Sequence, residues 1–558
     1  MRNAPEIVDV DRTRLEEVLN RAEQSLDEKD AALIRAVFQS YVYVAGLVED
    51  QNTSLRRLRQ LFFGKRTEKT KTVVGNGKPE ATPEEATPSS DTAPAAGEPD
   101  NNLSNEADTG PAASGHGRNG VDAYRSAERI EVPHPSLTAG DPCPVCDDGI
   151  VYEKAPGVLV RITGQAPLTA TIYQLQKLRC HLCGEVFTAA APAEAGERKY
   201  DATAGSMIGL LKYGSGLPFN RLDGLQGHLE IPLPASTQWD IVAAVAANLA
   251  PAFAELIRQA AQGEVLHNDD TTVKILELMG QRGRSKALAG AESEDADQRT
   301  GLFTSGVVAL RDGHRVALFF SGRRHAGENL AKVLKLRAAE LPPPIQMCDA
   351  LSRNLPGELQ TILAHCLAHA RRQFVDVYDR FPEPCRYLLE SLAVVYRNDA
   401  IARERQLSPE TRLQWHQETS QPTMQQLHDW LRRQLDEKLT EPNSALGGAI
   451  RYMIRHWEKL TLFLRQAGAP LDNNVCERAL KKAILHRKNA LFYKTQNGAR
   501  LGDLFMSLIY TCEMNQANPF DYLTQLQRHT EQLAASPPLW MPWNYREALS
   551  DESSAPTN

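Results

Sequence analysis

The stretch Glu264-Val265-Leu266-His267-Asn268-Asp269 is a short, mostly apolar run that closes on a carboxylate. Its length and composition predict a buried β-strand with an acid at its end. Residues 272–276, 302–310 and 315–320 follow with the same strand-like pattern. The polar residues 279–299 between them predict an exposed loop, so this part of the chain is expected to form a sheet from successive strands.

A second acid closes a second short strand. Residues 327–339 favour a helix, and Ile345-Gln346-Met347-Cys348-Asp349 then reads as a strand that ends in Asp349. Strands in succession, a helix and a strand closing on an acid follow the order of a ribonuclease-H-like domain. Residues 362–366 favour one more strand, and the remainder of 351–470 has mostly helical patterns.

The third acid, Glu477, lies on a helix predicted over residues 472–488. Carboxylate oxygens are the ligands that Mg²⁺ prefers. Two such ions can activate a water or a 3′-hydroxyl and stabilise the leaving oxygen of a phosphodiester. Asp269, Asp349 and Glu477 therefore predict a catalytic site for two Mg²⁺ or Mn²⁺ ions.

Two alternatives to these acids stay open, because any one of them is more often a turn or cap residue than a ligand. Asp270 competes for the first position, although it should face the opposite side of an extended strand from Asp269. Asp472 competes for the third, although its place before a helix favours an N-cap.

Basic residues around these acids predict contacts with DNA phosphates. The formal net charge is −7 over 558 residues, so DNA binding would depend on such local clusters. The predicted contacts are Arg371, Arg372, Arg478, Lys481, Lys482, Arg487 and Lys488. For His369, Arg371 and Arg372 the alternative is a helix face that pairs with acidic residues, and His267 is compatible with simple packing.

Two CxxC pairs predict a structural zinc site. Cys143, Cys146, Cys180 and Cys183 would place four thiolates on two tight turns around one Zn²⁺ ion. Residues 158–162 and 171–175 have alternating patterns that favour strands, and hence a zinc ribbon. The alternative is a metal-free site held by packing.

The region before the cysteines predicts self-association and then a linker. From Ile34 the apolar residues step by three and four, which predicts a coiled coil and a homo-oligomer. The alternative is a helix that packs on its own protein. Residues 70–122 contain few large apolar side chains, which predicts a disordered linker.

Residues 199–262 have helical patterns. Helices are expected over residues 204–213, 220–228 and 238–249, with Ser236 or Thr237 capping the last. This order resembles a helix-turn-helix DNA-binding unit, but an ordinary helical connector fits equally well because residues 238–249 contain no Lys or Arg.

The predicted fold is therefore multidomain α+β. A ribonuclease-H-like α/β domain with a helical insertion follows a coiled coil, a zinc ribbon and a helical DNA-binding region. The chain has no obvious transmembrane run or signal peptide, which favours a cytoplasmic protein without a membrane partner. The predicted segments are 1–69 (coiled coil), 70–122 (linker), 123–198 (zinc ribbon), 199–262 (helical DNA-binding region), 263–380 and 471–515 (catalytic domain), 381–470 (insertion) and 516–558 (C-terminal helix and tail).

Motifs along the whole chain resemble the DDE transposases of the insertion sequence sixty-six family. They are residues 61–69, the two CxxC pairs, Lys212-Tyr213 with Leu217-Pro218, residues 267–271, residues 366–374, Asp472-Asn473-Asn474 with Glu477-Arg478, and Pro542-Trp543-Asn544. One departure is Asp269-Asp270-Thr271-Thr272, where the family usually has Asp-Glu-Thr-Pro.

The resemblance implies a transposase that cleaves DNA at terminal inverted repeats and joins the ends to target DNA. It also implies a leucine-zipper and zinc-finger region at the N-terminus and two small accessory proteins. Two other functions remain: a sequence-specific DNA-binding regulator with an inactive nuclease-like domain, and a ribonuclease-H-like nuclease in RNA processing or repair.

Overall fold

The computed structural model describes residues 135–142, 144, 150–152, 165–179, 186–279 and 301–554. The chain divides into two compact units, of which one spans residues 79–169 and the other contains residues 170–558. In the smaller unit, Pro142 and Ile150 form an antiparallel bridge. The predicted coiled coil, linker and four zinc-ligating cysteines lie outside the described residues.

Seven strands occur in the described residues and form two sheets. They are β1 (Lys177–Arg179), β2 (Val186–Thr188), β3 (Val265–Thr272), β4 (Phe303–Arg311), β5 (His314–Gly322), β6 (Ile345–Cys348) and β7 (Ile362–His365). β1 and β2 pair antiparallel with each other. The other five form one mixed sheet in the order β5-β4-β3-β6-β7.

The central strand β3 joins an antiparallel half of this sheet to a parallel half. It runs antiparallel to β4, with Asp269 opposite Gly306. On its other side it runs parallel to β6, where His267 pairs with Met347. β6 in turn runs parallel to β7. The C-terminal ends of three neighbouring parallel strands therefore meet at one edge of the sheet, where ligands bind in open α/β sheets.

Helices surround this sheet in the order in which the chain produces them. The first group is α1 (Ala202–Gly209, continued by a π-helical turn at Leu210–Gly214), α2 (Phe219–His228), α3 (Ala235–Ala261) and α4 (Ala326–Leu334). The second group, after β7, is α5 (Leu367–Val377), α6 (Pro382–Glu404), α7 (Pro409–Thr419), α8 (Gln421–Asp436), α9 (Ala445–Arg455) and α10 (Trp457–Leu460). The last group is α11 (Asn474–Ala490), α12 (Gln496–Met514), α13 (Pro519–Arg528), α14 (Thr530–Ala535) and α15 (Tyr545–Ser554).

The helices between α5 and α11 share a core with the parallel half of the sheet. Met347 of β6 and Phe374 of α5 are fully buried together with Leu392 and Leu427 from α6 and α8. Full burial of such side chains contributes roughly 1.5–3 kcal/mol each. The inserted helices therefore extend the sheet's core, and they lie between the second and third acids in the chain.

Helix α12 covers the edge strand β5 with a ladder of side chains. Asp503, Ser507, Thr511 and Asn515 accept hydrogen bonds from the backbone N–H groups of Ser321, Phe319, Ala317 and Arg315 at 2.7–3.1 Å. Four helical residues rise about 6 Å. Two strand residues rise nearly the same distance, about 6.6 Å, so each helical turn meets the next free N–H of the strand.

The coarse prediction of a mixed α/β fold is confirmed, but several boundaries were wrong. Residues 272–276 do not form a separate strand: β3 continues to Thr272, and Ile275 makes only a bridge to Tyr493. Residues 171–175 are not a strand either, since β1 begins at Lys177. Neither Ser236 nor Thr237 caps a helix, because α3 begins earlier, at Ala235, with Pro234 as its N-cap.

Helix α3 is a core helix of the larger unit. Val242, Leu249 and Leu256 are fully buried, and the helix packs against β4, β5 and α12. Its length and apolar composition also match those of a membrane span, although only a core position explains these contacts. The prediction that residues 199–262 read DNA is untested.

His486 is buried between aromatic rings on the inner face of α11. Its ring stacks on Tyr493 at a centroid distance of 4.5 Å and lies 6.1 Å from Tyr213. Its Nε2 atom is buried and has no hydrogen-bond partner within the described ranges. Burial, reinforced by the nearby Lys212 ammonium, lowers the pKa of His486 to about 3, so the ring is neutral at pH 7.

This packing predicts that protonation of His486 opposes folding in mild acid. The folded-state pKa lies below the ordinary value of about 6.5, so the unfolded chain takes up a proton that the folded chain does not. His486 should therefore lower the free energy of unfolding by about 2 kcal/mol between pH 7 and pH 5. Urea unfolding of wild type and His486→Phe at both pH values measures this difference. An equal pH dependence in the two proteins would contradict it.

Candidate active site

Two of the predicted acids lie at one edge of the sheet: Asp349 directly follows β6, and Asp269 lies within β3, two residues beyond its last pair with β6. Val265 pairs with Ile345 and His267 with Met347, and continuing this register two residues places Asp349 level with Asp269. Asp349 is the first residue after β6. Adjacent strands lie about 4.8 Å apart, so the backbone brings these two carboxylates to the same edge of the sheet.

Helix α11 brings Glu477 to the same place, because Glu477 lies in its first turn. The helix crosses β3 and β4 over Gly306, which pairs with Asp269. A Cβ atom on Gly306 would lie 3.0 Å from the Leu480 side chain, and the Cys476 thiol donates to the Gly306 carbonyl at 3.4 Å. The missing side chain at Gly306 thus allows the close approach of α11.

The pKa of Asp269 is raised by burial and by neighbouring carboxylates. Burial is the main cause that raises its pKa, and the charges of Asp349, Asp270 and Glu477 add to it, bringing the pKa to about 7. The backbone N–H of Asp270 opposes this by donating to Asp269 Oδ1 at 2.8 Å. A cation at this position would relieve the repulsion among these acids.

A buried asparagine fastens the start of α11 to β3. The fully buried Asn473 donates from Nδ2 to the Asn268 carbonyl at 3.1 Å. Its Oδ1 lies 3.0 Å from His267 Nδ1. Since an amide oxygen only accepts, this contact requires a proton on His267 Nδ1, and burial keeps the ring neutral by lowering its pKa to about 4. His267 therefore does more than pack.

A second network of amides orients Asp349. Asn354 Nδ2 donates to Asp349 Oδ1, and the backbone N–H of Leu351 donates to the same oxygen at 3.2 Å. The Asn354 carbonyl accepts from Asn268 at 2.8 Å and from Gln346 at 2.7 Å. Strands β3 and β6 are thereby linked to the loop that positions the second acid.

The two rival acids have partners of their own. The Asp270 side chain is 2% exposed and contacts His325 at 2.8 Å and Arg353 at 3.4 Å. Asp472 accepts hydrogen bonds from the backbone and side chain of Asn474, at 3.1 and 2.7 Å. These contacts favour Asp269 and Glu477 as the acids that are available to a metal ion. The N-cap of α11 is Asn473 rather than Asp472.

The side chains of His369 and Arg372 on α5 lie beside Glu477. His369 Nε2 lies 3.6 Å from Glu477 Oε1, and Arg372 Nη2 lies 3.8 Å from Oε2. Neither distance is that of a hydrogen bond. Within the described part of the chain, Glu477 Oε1 and His369 Nδ1 are buried without a hydrogen-bond partner. The contacts of His369 and Arg372 with Glu477 fit the alternative of a helix face that pairs with acidic residues.

The donor set fits a hard divalent cation. Asp269, Asp349 and Glu477 offer carboxylate oxygens, the ligands that Mg²⁺ and Mn²⁺ prefer. Among the described residues, Oε1 of Glu477 has no hydrogen-bond partner, and the raised pKa of Asp269 indicates repulsion among neighbouring carboxylates that a cation would relieve. These observations favour a metal site.

The basic residues predicted on α11 divide into two groups. Arg478, Lys481 and Lys488 are exposed along one side of the helix. By contrast, Lys482 forms an ion pair with Glu513 at 2.8 Å. Arg487 donates to Thr271 at 3.2 Å and to Thr272, at the end of β3. The first group is free to meet DNA, whereas Lys482 and Arg487 are engaged in contacts within the chain.

Residues 199–501, more than half of the chain, match the sequence model of the Transposase IS66 family. The chain belongs to this family. The matched residues contain Asp269, Asp349 and Glu477 as well as the inserted helices. The resemblance drawn from the motifs is therefore confirmed. The transposase family implies DNA as a partner and a requirement for a divalent metal.

Curated relatives of this transposase are known from Sinorhizobium fredii (strain NBRC 101917 / NGR234). The uncharacterized protein y4hP is 28% identical over 396 residues, which cover 67% of each chain. The uncharacterized protein y4qI is 27% identical over 345 residues, or 61% of each chain. A third, y4jD, is 35% identical over 189 residues, which cover 33% of the transposase and 36% of the relative. The transposase thus spans about two thirds of the length of the first two.

Proposed function

We propose that the transposase binds the terminal inverted repeats of an insertion sequence, cleaves them and transfers the ends to target DNA. The observation that carries this proposal is the convergence of three acids on one sheet edge: the charges of Asp349 and Glu477 both bear on the half-buried Asp269. The strand order, with a central strand between antiparallel and parallel neighbours, supports a ribonuclease-H-like catalytic domain.

In this proposal Asp269, Asp349 and Glu477 hold two divalent ions, and Asn354 and Asn473 keep two of these acids in place. When bound, the ions would activate the attacking water or 3′-hydroxyl and stabilise the leaving oxygen. His369 lies beside Glu477, where its imidazole can contact a phosphate of the DNA. Arg371 and Arg372 belong to the same helix as His369 and are proposed to contact DNA as well.

The exposed basic side of α11 supplies a path for DNA away from the acids. From Glu477 to Lys488 the helix rises about 16 Å, which is about five base-pair steps of a duplex. Arg478, Lys481 and Lys488 project along this path and are proposed to neutralise phosphates next to the cleaved bond. A role of this kind is independent of DNA sequence.

Alanine at Arg478, Lys481 and Lys488 together should weaken DNA binding and reduce its dependence on salt. Each lost phosphate contact lowers the slope of log affinity against log salt by about 0.9, so the triple variant should lose about 2.7. Fluorescence anisotropy with a labelled duplex at several salt concentrations measures the slope. Lys482→Ala is the matched control, since Lys482 pairs with Glu513. An equal loss of slope per residue in the control would contradict the assignment.

Cleavage and strand transfer on DNA that carries the element's terminal inverted repeats, with Mg²⁺ or Mn²⁺, test the function. Specific nicking at the repeat ends supports a transposase. Binding to the repeats without cleavage would favour a regulator with an inactive nuclease-like domain. Cleavage without preference for repeats would favour a nuclease in repair or RNA processing.

The proposal also includes a structural zinc site, self-association, accessory proteins and a place in the cell. Cys143, Cys146, Cys180 and Cys183 would hold one structural Zn²⁺. The antiparallel strands β1 and β2 precede and follow the second cysteine pair in the chain. The N-terminal coiled coil would join copies of the chain, and two small accessory proteins would assist them. The protein would act in the cytoplasm, on the nucleoid.

A further inference from the structure

Cys366, His369 and Glu477 bring together three potential metal ligands of mixed type. One donor atom from each of these residues lies within 4.8 Å of the other two. Only Glu477 belongs to the acids proposed to hold Mg²⁺. A thiol and an imidazole are poor ligands for Mg²⁺ but good ones for Zn²⁺. This cluster therefore has a different metal preference from that of the three carboxylates.

The local structure fixes the position of the Cys366 sulfur. Cys366 is the N-cap of α5, directly after β7, and it is 1% exposed. The backbone N–H of Asn473 donates to its Sγ at 3.2 Å. Such a donor fixes the orientation of the sulfur, as donors do around ligand atoms in metal sites, whereas burial raises the pKa of the Cys366 thiol to about 12, so that an ion would have to displace its proton. His369 follows three residues later on the same side of α5.

Glu477 has an unused donor atom at this place, and the His369 ring lies beside it, with Nε2 3.6 Å from Glu477 Oε1. Glu477 Oε1 and His369 Nδ1 are buried without a hydrogen-bond partner among the described residues. Glu477 can offer Oε1 to an ion while Oε2 remains beside Arg372. Around a tetrahedral Zn²⁺ with bonds of about 2.0–2.3 Å, ligand atoms lie roughly 3.5 Å apart. The three ligand atoms would therefore have to move closer together by about 1 Å through side-chain rotation.

We propose that Cys366, His369 and Glu477 form a Zn²⁺ site, and that Zn²⁺ bound there inhibits the transposase by withdrawing Glu477 from the catalytic Mg²⁺. Binding displaces the thiol proton of Cys366 to solvent and leaves a fourth position for water. The inhibitory part rests on the proposed function, whereas Zn²⁺ binding does not.

Zinc binding is tested on the full chain by competition with a chromogenic chelator, and by Co²⁺ substitution, which reports thiolate ligation through a near-ultraviolet charge-transfer band. Wild type should bind one equivalent more than Cys366→Ser, whatever the occupancy of the predicted ribbon. Cys512→Ser is the matched control, because Cys512 is also buried but lies on α12. His369→Gln provides a second variant at a partly exposed position. Equal metal content and equal Co²⁺ spectra in wild type and both cluster variants would overturn the site.

Inhibition is tested by repeat-end cleavage in Mg²⁺ with increasing Zn²⁺, each protein being compared with its own zinc-free rate. Wild type should lose at least about tenfold in rate and recover on chelation, and His369→Gln should need at least about tenfold more Zn²⁺. Zinc binding without inhibition, or equal inhibition of His369→Gln, would overturn the regulatory role. Absence of cleavage before Zn²⁺ is added would instead count against the proposed transposase activity, while the binding titration would still report on the cluster.

Discussion

Replacing Asp349 with asparagine is expected to abolish DNA cleavage while leaving binding to the element's ends intact. The substitution keeps the shape of the side chain, but it removes the charge that a divalent ion requires. Loss of one metal-binding carboxylate should lower the cleavage rate at least about a thousandfold, which corresponds to about 4 kcal/mol. Single-turnover cleavage of labelled repeat ends gives the rate, and a gel-shift assay on the same DNA gives the binding.

The matched control is Asp312→Asn. Asp312 lies in the exposed turn between β4 and β5, pairs with Arg311, and has a positive φ that asparagine tolerates. This control should cleave as wild type does. Retained cleavage by Asp349→Asn would remove Asp349 from the site.

The same assay distinguishes the two neighbouring acids of β3. Asp269→Asn should be as inactive as the Asp349 variant. Asp270→Asn should lose much less, because the Asp270 side chain is held by His325 and Arg353 rather than available to a metal ion. The reverse order of activities would assign the first metal ligand to Asp270.

The second large effect is expected at Asn473, which contacts no metal and acts through the placement of Glu477. Asn473→Ala leaves His267 Nδ1 and the Asn268 carbonyl without their partner in a buried site. Each unsatisfied group costs about 1–3 kcal/mol. Helix α11 should consequently loosen at its start, and the apparent affinity for Mg²⁺ should fall by about 10–100-fold, as it does when groups behind metal ligands are removed.

Cleavage rates over a range of Mg²⁺ concentrations separate this positioning role from a general loss of stability. A positioning residue raises the Mg²⁺ concentration needed for half-maximal rate, so that added Mg²⁺ partly restores cleavage. Asn474→Ala is the matched control, since Asn474 is exposed and its side chain donates to its neighbour Asp472. A lower maximal rate with unchanged Mg²⁺ dependence would contradict the role of Asn473.

The sequence predicted the features of the site that depend on local patterns. A strand that closes on Asp349 and a helix that carries Glu477 follow from the local pattern. The strand predicted to end at Asp269 instead continues to Thr272, although Asp269 and Asp349 still lie at one sheet edge. The predicted strand boundaries were wrong where tertiary packing overrides the local conformational preference of the sequence. Ile275 resembles a strand residue, yet it leaves the sheet to form a bridge with Tyr493 of a distant segment.

The residues that hold the acids in place were not predicted, because their partners are far away in the chain. Asn473 binds groups on β3, and Asn354 joins β3, β6 and Asp349. An asparagine in a loop gives no sign of such partners, since its amide is equally suited to a turn. Gly306 was also missed. The only signal was a glycine within a strand, which often marks a close backbone approach.

The side-chain ladder of α12 on β5 has a consequence for assembly. An exposed edge strand invites another strand to pair with it, whether from a second copy or from an unfolded chain. Asp503, Ser507, Thr511 and Asn515 already occupy the alternate N–H groups through which such pairing would start. Two copies of the chain therefore cannot join their sheets across this edge, and an interface between copies would have to use other surfaces.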